Sequence, residues 1–317
     1  MKFGMLQIQK LIELIIGEML PYKDSVIIGD NSSGKSMLLR EFLQKVKDQD
    51  QICFIDAVNR GFDVAKISKT VKKPEYKGTI LATRLDEVYF NQKDSFNCYG
   101  TLTEPIEEIY LSYEQEVQQL FCAFTGESFT PIQEYSKWQH EVAFEKGIGL
   151  LSSGYQAMIR IFLELVFFED RAIKKNGYEK AWVVIDEIDE FLSPRFSAAI
   201  YGFLKERFPW AYWMVTTHSG DLVAETKDAN LIILQDADYE VTDINDYTSV
   251  SDVQLVFGRV FGRRVLAENE IDNRLRKLFH NKISNAWSPK DTEALDELRN
   301  LQLSESQRLI IRQIQEW

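Results

Sequence analysis

The segment Gly29–Ser36 constrains this chain more than any other feature, and it reads GDNSSGKS. It matches the pattern G-x-x-x-x-G-K-[ST] at every fixed position. The apolar run Ser25–Ile28 before it predicts a buried strand, and the residues from Ser36 to about Val46 predict a helix. A phosphate-binding loop occurs in this strand–loop–helix context. The predicted phosphate-binding residues are Gly29, Asn31, Ser32, Ser33, Gly34, Lys35 and Ser36.

The residue types in this loop suit a nucleoside triphosphate and its magnesium ion. Glycines let consecutive backbone N–H groups turn inward around the phosphates, and the start of the following helix adds the positive end of its dipole. Lys35 reaches the β- and γ-phosphates as a point charge, and the Ser36 hydroxyl is a magnesium ligand. The loop therefore predicts ATP and Mg²⁺ as the cofactors.

A pair of carboxylates, Asp186 and Glu187, directly follows the apolar run Trp182–Ile185. An acid at the carboxyl end of a buried strand is what the magnesium ion of such a site needs, and a second acid after it can polarise the attacking water. A strand that simply ends in charge would look the same. Beside an intact phosphate loop, we predict Asp186 as a metal ligand and Glu187 as a catalytic residue.

The order of the predicted elements indicates an α/β fold with a parallel sheet. A strand before Gly29, a helix after it and a second strand over Ile52–Asp56 give the strand–helix–strand order of such sheets. The first twenty residues predict an amphipathic helix that Pro21 ends. Residues from about 101 to 140 predict a helical insertion, and the chain after residue 250 predicts further helices.

Composition excludes several classes of protein. Asp plus Glu number 49 against 37 Lys plus Arg, a formal net charge of −12, which disfavours general coating of nucleic acid although a local basic groove stays open. The residues Met5–Leu20 are too polar for a signal peptide or a membrane span. The 3 cysteines are widely spaced and form neither a disulfide framework nor a zinc motif. These observations predict a cytoplasmic protein with no membrane insertion.

A second candidate for anion binding, Leu151–Gln156, reads LSSGYQ. Small residues before a helix leave N–H groups and a hydroxyl available to an anion, although an ordinary serine N-cap gives the same pattern. The order phosphate loop, L-S-S-G-x-Q, then a strand ending in Asp-Glu resembles ABC-type P-loop ATPases of the SMC, DNA-repair and OLD-like branches. A serine replaces the first signature glycine and the glutamine comes one place late, as in OLD-like and AAA-type phage-defence ATPases. The resemblance adds Ser152, Ser153 and Gly154 to the nucleotide-binding residues.

Later segments extend this resemblance. Asp189 follows the two carboxylates and would lie in the loop that crosses to a partner subunit. The segment TTHS ends at Ser219, and the resemblance makes its histidine, His218, a catalytic residue that senses the γ-phosphate. Gln92 is the candidate for the Q-loop contact to the metal, with a polar turn as the alternative.

The resemblance implies an α/β P-loop NTPase with an ABC-type head. The resemblance covers residues from about 25 to 245. We predict an ATPase domain over residues 1–250, which includes the helical insertion, and a helical C-terminal region over 251–317. Two heads would form a homodimer that sandwiches two ATP molecules, with a higher oligomer left open, and each site would take its signature from the other chain.

The implied function is ATP hydrolysis in a bacterial defence or DNA-maintenance system, with a separate effector protein as partner. A nucleotide-gated scaffold that holds such an effector and the ATP subunit of a transporter stay open as alternatives. An OLD-type nuclease is disfavoured, because residues 251–317 are short for a further nuclease domain.

Overall fold

The computed structural model describes residues 4–72, 85, 90, 93–96, 105–235, 238–247, 250–261, 274–275, 277–278, 282, 287–299, 308, 311–312 and 314. The chain divides into two compact units, Met1–Val253 and Gln254–Trp317. None of the helices formed by the described residues has both the length and the apolar character that a membrane crossing requires.

The first unit contains nine strands among its described residues, most of them separated by helices. The strands are β1 (Ser25–Gly29), β2 (Ile52–Ile55), β3 (Phe129–Glu134), β4 (Lys137–Phe144), β5 (Gly147–Leu150), β6 (Ala181–Ile185), β7 (Ala211–Thr216), β8 (Asn230–Gln235) and β9 (Asp238–Asp243). The helices of the first unit are α1 (Met5–Ile16), α2 (Lys35–Lys45), α3 (Tyr110–Thr125), α4 (Ser153–Phe168), α5 (Pro194–Arg207) and α6 (Gly220–Glu225). Helix α7 (Val250–Phe261) begins in the first unit and ends in the second, and α8 (Pro289–Arg299) belongs to the second.

The central sheet has the spatial order β2-β6-β7-β1-β8-β9. Neighbouring strands from β2 to β8 are parallel, and β8 and β9 form an antiparallel hairpin. The parallel strands are buried almost throughout, as expected for a sheet covered on both faces. Because the strands are parallel, β1, β2, β6 and β7 all end at the same edge of the sheet. The predicted parallel α/β fold is confirmed.

The segment predicted as a helical insertion is helical only in part. Helix α3 ends at Gly126, whose φ of 78° is the left-handed conformation that glycine adopts without strain. From Phe129 the chain forms a second, antiparallel sheet with the order β3-β4-β5. Pro131 lies in its edge strand β3, where a missing N–H is tolerated. The prediction of helix up to residue 140 is therefore wrong beyond Thr125.

The first helix is also shorter than predicted. Ile8, Leu11, Ile12 and Ile15 form its buried face, as the periodicity indicates. The helix ends at Ile16, however, because the backbone leaves the helical conformation at Gly17, which has a ψ of 1°, and at Glu18, which has a φ of 51°. Pro21 is not the residue that stops it.

The second unit has its own small core. Ser288 lies directly before α8, whose first residue is Pro289, and the Ser288 hydroxyl donates to Asp291 at 2.6 Å. The buried apolar residues of this core are Leu275, Leu278, Leu295, Leu298, Ile311 and Ile314.

Candidate nucleotide-binding and hydrolysis site

The loop between β1 and α2 has the backbone of a phosphate cradle. Ser32 and Gly34 both have positive φ, 66° and 110°, and Ser33 N–H donates to Asp30 O at 3.0 Å. A Cβ on Gly29 would lie 2.9 Å from the backbone oxygen of Leu234 on the neighbouring strand. Only glycine fits there, so the tight strand-to-helix turn depends on this residue.

Lys35 is the cation of this loop. Its side chain is 7% exposed, and Nζ donates to Gly29 O at 2.7 Å. Burial lowers the pKa of Lys35, and the carboxylates of Glu187 and Asp186 oppose that shift. The buried Ser33 Oγ in the same loop has no hydrogen-bond partner among the described residues. The loop thus offers a buried ammonium and an unpaired hydroxyl to an anion such as a phosphate.

Asp186 and Glu187 begin the segment after β6 at the same edge of the sheet. Asp186 is 2% exposed, its N–H donates to Ile55 O at 3.0 Å, and its Oδ1 accepts from the Thr216 hydroxyl at 2.6 Å. Glu187 has a φ of 51°, a conformation that residues with a Cβ rarely adopt. The sequence predicted both carboxylates as a pair, and the structure sets them in different surroundings, one buried and one partly exposed.

His218 lies against the Glu187 carboxylate. Its Nε2 is 3.4 Å from Glu187 Oε1, and both side chains are about one third exposed, at 34% and 31%. The hydrogen bond to His218 lowers the pKa of Glu187, with a smaller contribution from Lys35. Glu187 is therefore held as a carboxylate, the form that accepts a proton from water.

Asp189 is tied to the strand that leads to His218. The Thr217 hydroxyl donates to Asp189 Oδ1, and burial raises the pKa of Asp189. Two residues further on, Phe191 has a φ of 67° and is 49% exposed. Its carbonyl oxygen would lie 3.0 Å from a Cβ on Gly154, so this loop contacts the start of α4.

The predicted signature residues form the start of α4. Ser152 is the N-cap, and its hydroxyl accepts from Tyr155 N–H at 3.2 Å. Ser152 and Ser153 are exposed, and Gln156 is turned away from them, with Nε2 donating to Leu151 O at 3.0 Å. The ordinary N-cap is thus present, and the exposed helix start is also available to an external anion.

Gln92 lies outside the described residues, but the segment 93–96 next to it is described. The Arg160 side chain on α4 joins Asp94 at 2.6 Å and Glu164 at 2.8 Å, and it is buried. The segment after Gln92 is therefore bound to the same helix that carries Ser152.

The donor set suits magnesium more than a softer metal. Ser36 offers a hydroxyl and Asp186 a carboxylate, and Mg²⁺ prefers such oxygen ligands while keeping several waters. Within the described residues, no group of three or more His, Cys, Asp or Glu forms a metal cage. A site with few protein ligands is what a metal shared with phosphates requires.

Sequence reasoning missed Arg60 and Thr216. Arg60 is buried and its Nη2 donates to Asp186 O at 2.8 Å, while the Thr216 hydroxyl accepts from Glu187 N–H at 2.7 Å. Sequence reasoning gave neither residue a role. Thr216 stands in the segment already singled out for His218, so its position was a usable signal, whereas Arg60 had none.

Comparison with known proteins gives one curated relative. No protein-family model matches the chain. The Septu protein PtuA of Bacillus thuringiensis is 30% identical over 163 residues, which are 47% of this chain and 36% of that protein. The chain therefore spans about a third of the length of this relative.

Solved structures with a similar fold include ABC and SMC proteins. The cbiO1 protein of Clostridium perfringens, part of the ABC transporter complex cbiONQ, is 15% identical over 78% of this chain and 88% of its own, with a TM-score of 0.39. The SMC head domain of Thermotoga maritima is 14% identical over 44% of this chain and 50% of its own, with a TM-score of 0.30.

The resemblance drawn from the sequence motifs is confirmed. The phosphate loop joins β1 to α2, the Asp-Glu pair ends β6, and the histidine follows β7, all at one edge of a parallel sheet. In fold and in the order of its motifs, the chain resembles ABC-type P-loop ATPases.

Proposed function

We propose that this chain hydrolyses ATP to ADP and phosphate with Mg²⁺. The observation that carries the proposal is the pairing of Glu187 with His218 at the sheet edge that also holds the Lys35 loop. A protein that only holds ATP has no need for an ionised carboxylate in this place.

Each residue of the site has a separate role in the proposed reaction. Backbone N–H groups of the loop and the Lys35 ammonium bind the triphosphate. Ser36 and Asp186 would hold Mg²⁺, which would supply positive charge to neutralise the phosphates. The Glu187 carboxylate orients the water and accepts its proton as the water oxygen bonds to the γ-phosphorus. The bond from that phosphorus to the bridging oxygen breaks, and ADP leaves. His218 holds the Glu187 carboxylate and faces the γ-phosphate.

Lys35→Ala tests the binding part of this proposal. Loss of the buried ammonium should weaken ATP binding and abolish turnover, measured by calorimetry and phosphate release. Lys45→Ala is the matched control, because Lys45 is an exposed lysine at the far end of the same helix. Wild-type turnover in Lys35→Ala would remove the phosphate-loop assignment.

We propose that a second chain completes the ATP site. Charge that develops on the γ-phosphate needs donors on the face opposite the phosphate loop. Ser152 is exposed and Gly154 is half-buried at the start of a helix, and the Ser152 hydroxyl and the Gly154 backbone suit that role. The chain would therefore act as a homodimer with two composite ATP sites, as the resemblance implies.

Mixing two inactive variants tests the composite site. Ser152→Arg and Lys35→Ala should each be inactive alone, and an exchanging equal mixture should recover about a quarter of wild-type activity if the sites act independently. Ser152→Ala, which removes the hydroxyl and with it the helix cap but adds no bulk, controls for lost stability. No recovery, together with an ATP-loaded Glu187→Gln protein that stays monomeric in light scattering, would end the composite-site proposal.

We place this ATPase in a bacterial defence or DNA-maintenance system that works with a separate effector. The L-S-S-G variant of the signature and the similarity to the Septu protein PtuA support that placement. Purification from native cells followed by mass spectrometry tests it. A co-eluting toxin or nuclease is the expected result, whereas a membrane permease would support the transporter alternative.

A further inference from the structure

The peptide bond between Asp186 and Glu187 is held at both ends by side chains. Its carbonyl oxygen, on Asp186, accepts from Arg60 Nη2 at 2.8 Å. Its N–H, on Glu187, donates to the Thr216 hydroxyl at 2.7 Å. The donor and the acceptor come from different parts of the chain. Arg60 lies 126 residues before Asp186, and Thr216 lies 29 residues after Glu187.

The surroundings of the Arg60 side chain are unusual for a residue whose role is only structural. Its side chain is 2% exposed, and Nε and Nη1 have no hydrogen-bond partner among the described residues. Burial lowers the pKa of Arg60, and the nearby carboxylates of Asp56 and Glu164 oppose that shift. Burying unpaired guanidinium donors costs stability, so an apolar side chain would serve packing better. Among the described residues, the Arg60 side chain makes its hydrogen bond from Nη2 to Asp186 O.

Thr216 links the two carboxylates at the end of β7. It is fully buried, and its hydroxyl accepts from Glu187 N–H while donating to Asp186 Oδ1 at 2.6 Å. Its carbonyl oxygen also accepts from Ile188 N–H at 3.0 Å. One hydroxyl therefore sets the direction of the Asp186 carboxylate and of the backbone that carries Glu187.

These bonds stabilise a backbone that would otherwise relax. Glu187 has a φ of 51°, and a left-handed residue with a Cβ costs about 1–2 kcal/mol. A return to negative φ would turn the Glu187 carboxylate away from His218, its partner at 3.4 Å. The strain is offset at this peptide by the two side-chain hydrogen bonds.

We propose that Arg60 and Thr216 are positioning residues, which hold the Asp186–Glu187 peptide so that the Glu187 carboxylate faces the attacking water. The proposal rests on the proposed ATP hydrolysis, since it assigns these residues to the same site. The hydrogen bonds that the two side chains make among the described residues go to Asp186 and Glu187 and not to the phosphate loop, so we expect turnover to depend on them more than ATP binding does.

Two pairs of variants test this proposal. Thr216→Val keeps the side-chain shape without the hydroxyl, and Thr216→Ser keeps the hydroxyl. Arg60→Met removes the donor, and Arg60→Lys keeps one. We expect kcat to fall at least about tenfold in Thr216→Val and Arg60→Met, because a misplaced catalytic group is costly, with the Kd for ATP changed less than about threefold. Thr216→Ser and Arg60→Lys should retain most of the turnover.

A second measurement keeps the test independent of ATP turnover. Hydrogen–deuterium exchange of the peptide over residues 185–190 includes the Glu187 N–H among the backbone groups that it reports. It should be faster in Thr216→Val and Arg60→Met than in the wild type, and unchanged in Thr216→Ser. Equal exchange and equal kcat in Thr216→Val and Thr216→Ser would overturn the positioning proposal. A wild type that hydrolyses no ATP would instead refute the proposed function, and the exchange comparison would still decide whether the peptide is held.

Discussion

The left-handed backbone at Glu187 predicts that glycine is more stable there than alanine. Both Glu187→Gly and Glu187→Ala remove the carboxylate, so the effect of its charge cancels in their comparison. A Cβ at a φ of 51° costs about 1–2 kcal/mol, which glycine avoids. Glycine loses about 0.5–1 kcal/mol more backbone entropy on folding. The balance leaves the glycine variant more stable by about 0.5–1 kcal/mol.

Urea unfolding followed by circular dichroism measures this difference. The comparison requires that the free energy of unfolding depends equally steeply on urea concentration in the two variants. A difference between their unfolding midpoints then reports a difference in stability. Gln44 supplies the control, because it is exposed in the helix α2. There alanine should exceed glycine by about 1 kcal/mol. An alanine advantage at both positions would refute the reasoning that Glu187 is strained.

Two further predictions concern buried groups. Burial raises the pKa of Glu164 from 4.5 to about 7, although its ion pair with Arg160 opposes that shift. The protonated carboxyl therefore stabilises the folded state fully below pH 4.5, and this contribution is lost as the pH rises through 7. The free energy of unfolding of the wild type relative to Glu164→Gln should therefore fall by about 2 kcal/mol between pH 5 and 8, and a constant difference in urea unfolding would contradict this. Gly29→Ala should lower the melting temperature and weaken ATP binding, because its Cβ would lie 2.9 Å from Leu234 O; unchanged calorimetric Kd and melting temperature would refute it.

The strand–loop–helix order and the Asp-Glu pair were predictable because they depend on local patterns. Gly29–Ser36 needs glycines and a lysine at fixed spacing, and a buried strand such as β6 is a continuous apolar run. The parallel sheet then brings the ends of these strands to one edge, so their motifs meet in the structure.

The insertion and the positioning residues were not predictable in the same way. The residues after Gly126 carry mixed apolar and polar types, and their strands form because β3, β4 and β5 pair with one another. Arg60 acts through a contact to Asp186 across the sheet edge, which no local spacing reveals. The pairing of His218 with Glu187 likewise depends on tertiary structure, although the order of motifs named both residues.

Phosphate release by wild-type protein and by Glu187→Gln, at saturating ATP and Mg²⁺, tests the central claim most directly. Gln has nearly the shape of Glu but cannot accept the proton of water, so the variant should bind ATP as tightly as the wild type and lose its turnover. Tight ATP binding with a turnover number reduced at least about a hundredfold is the result that the account predicts. Undiminished turnover in Glu187→Gln would contradict it.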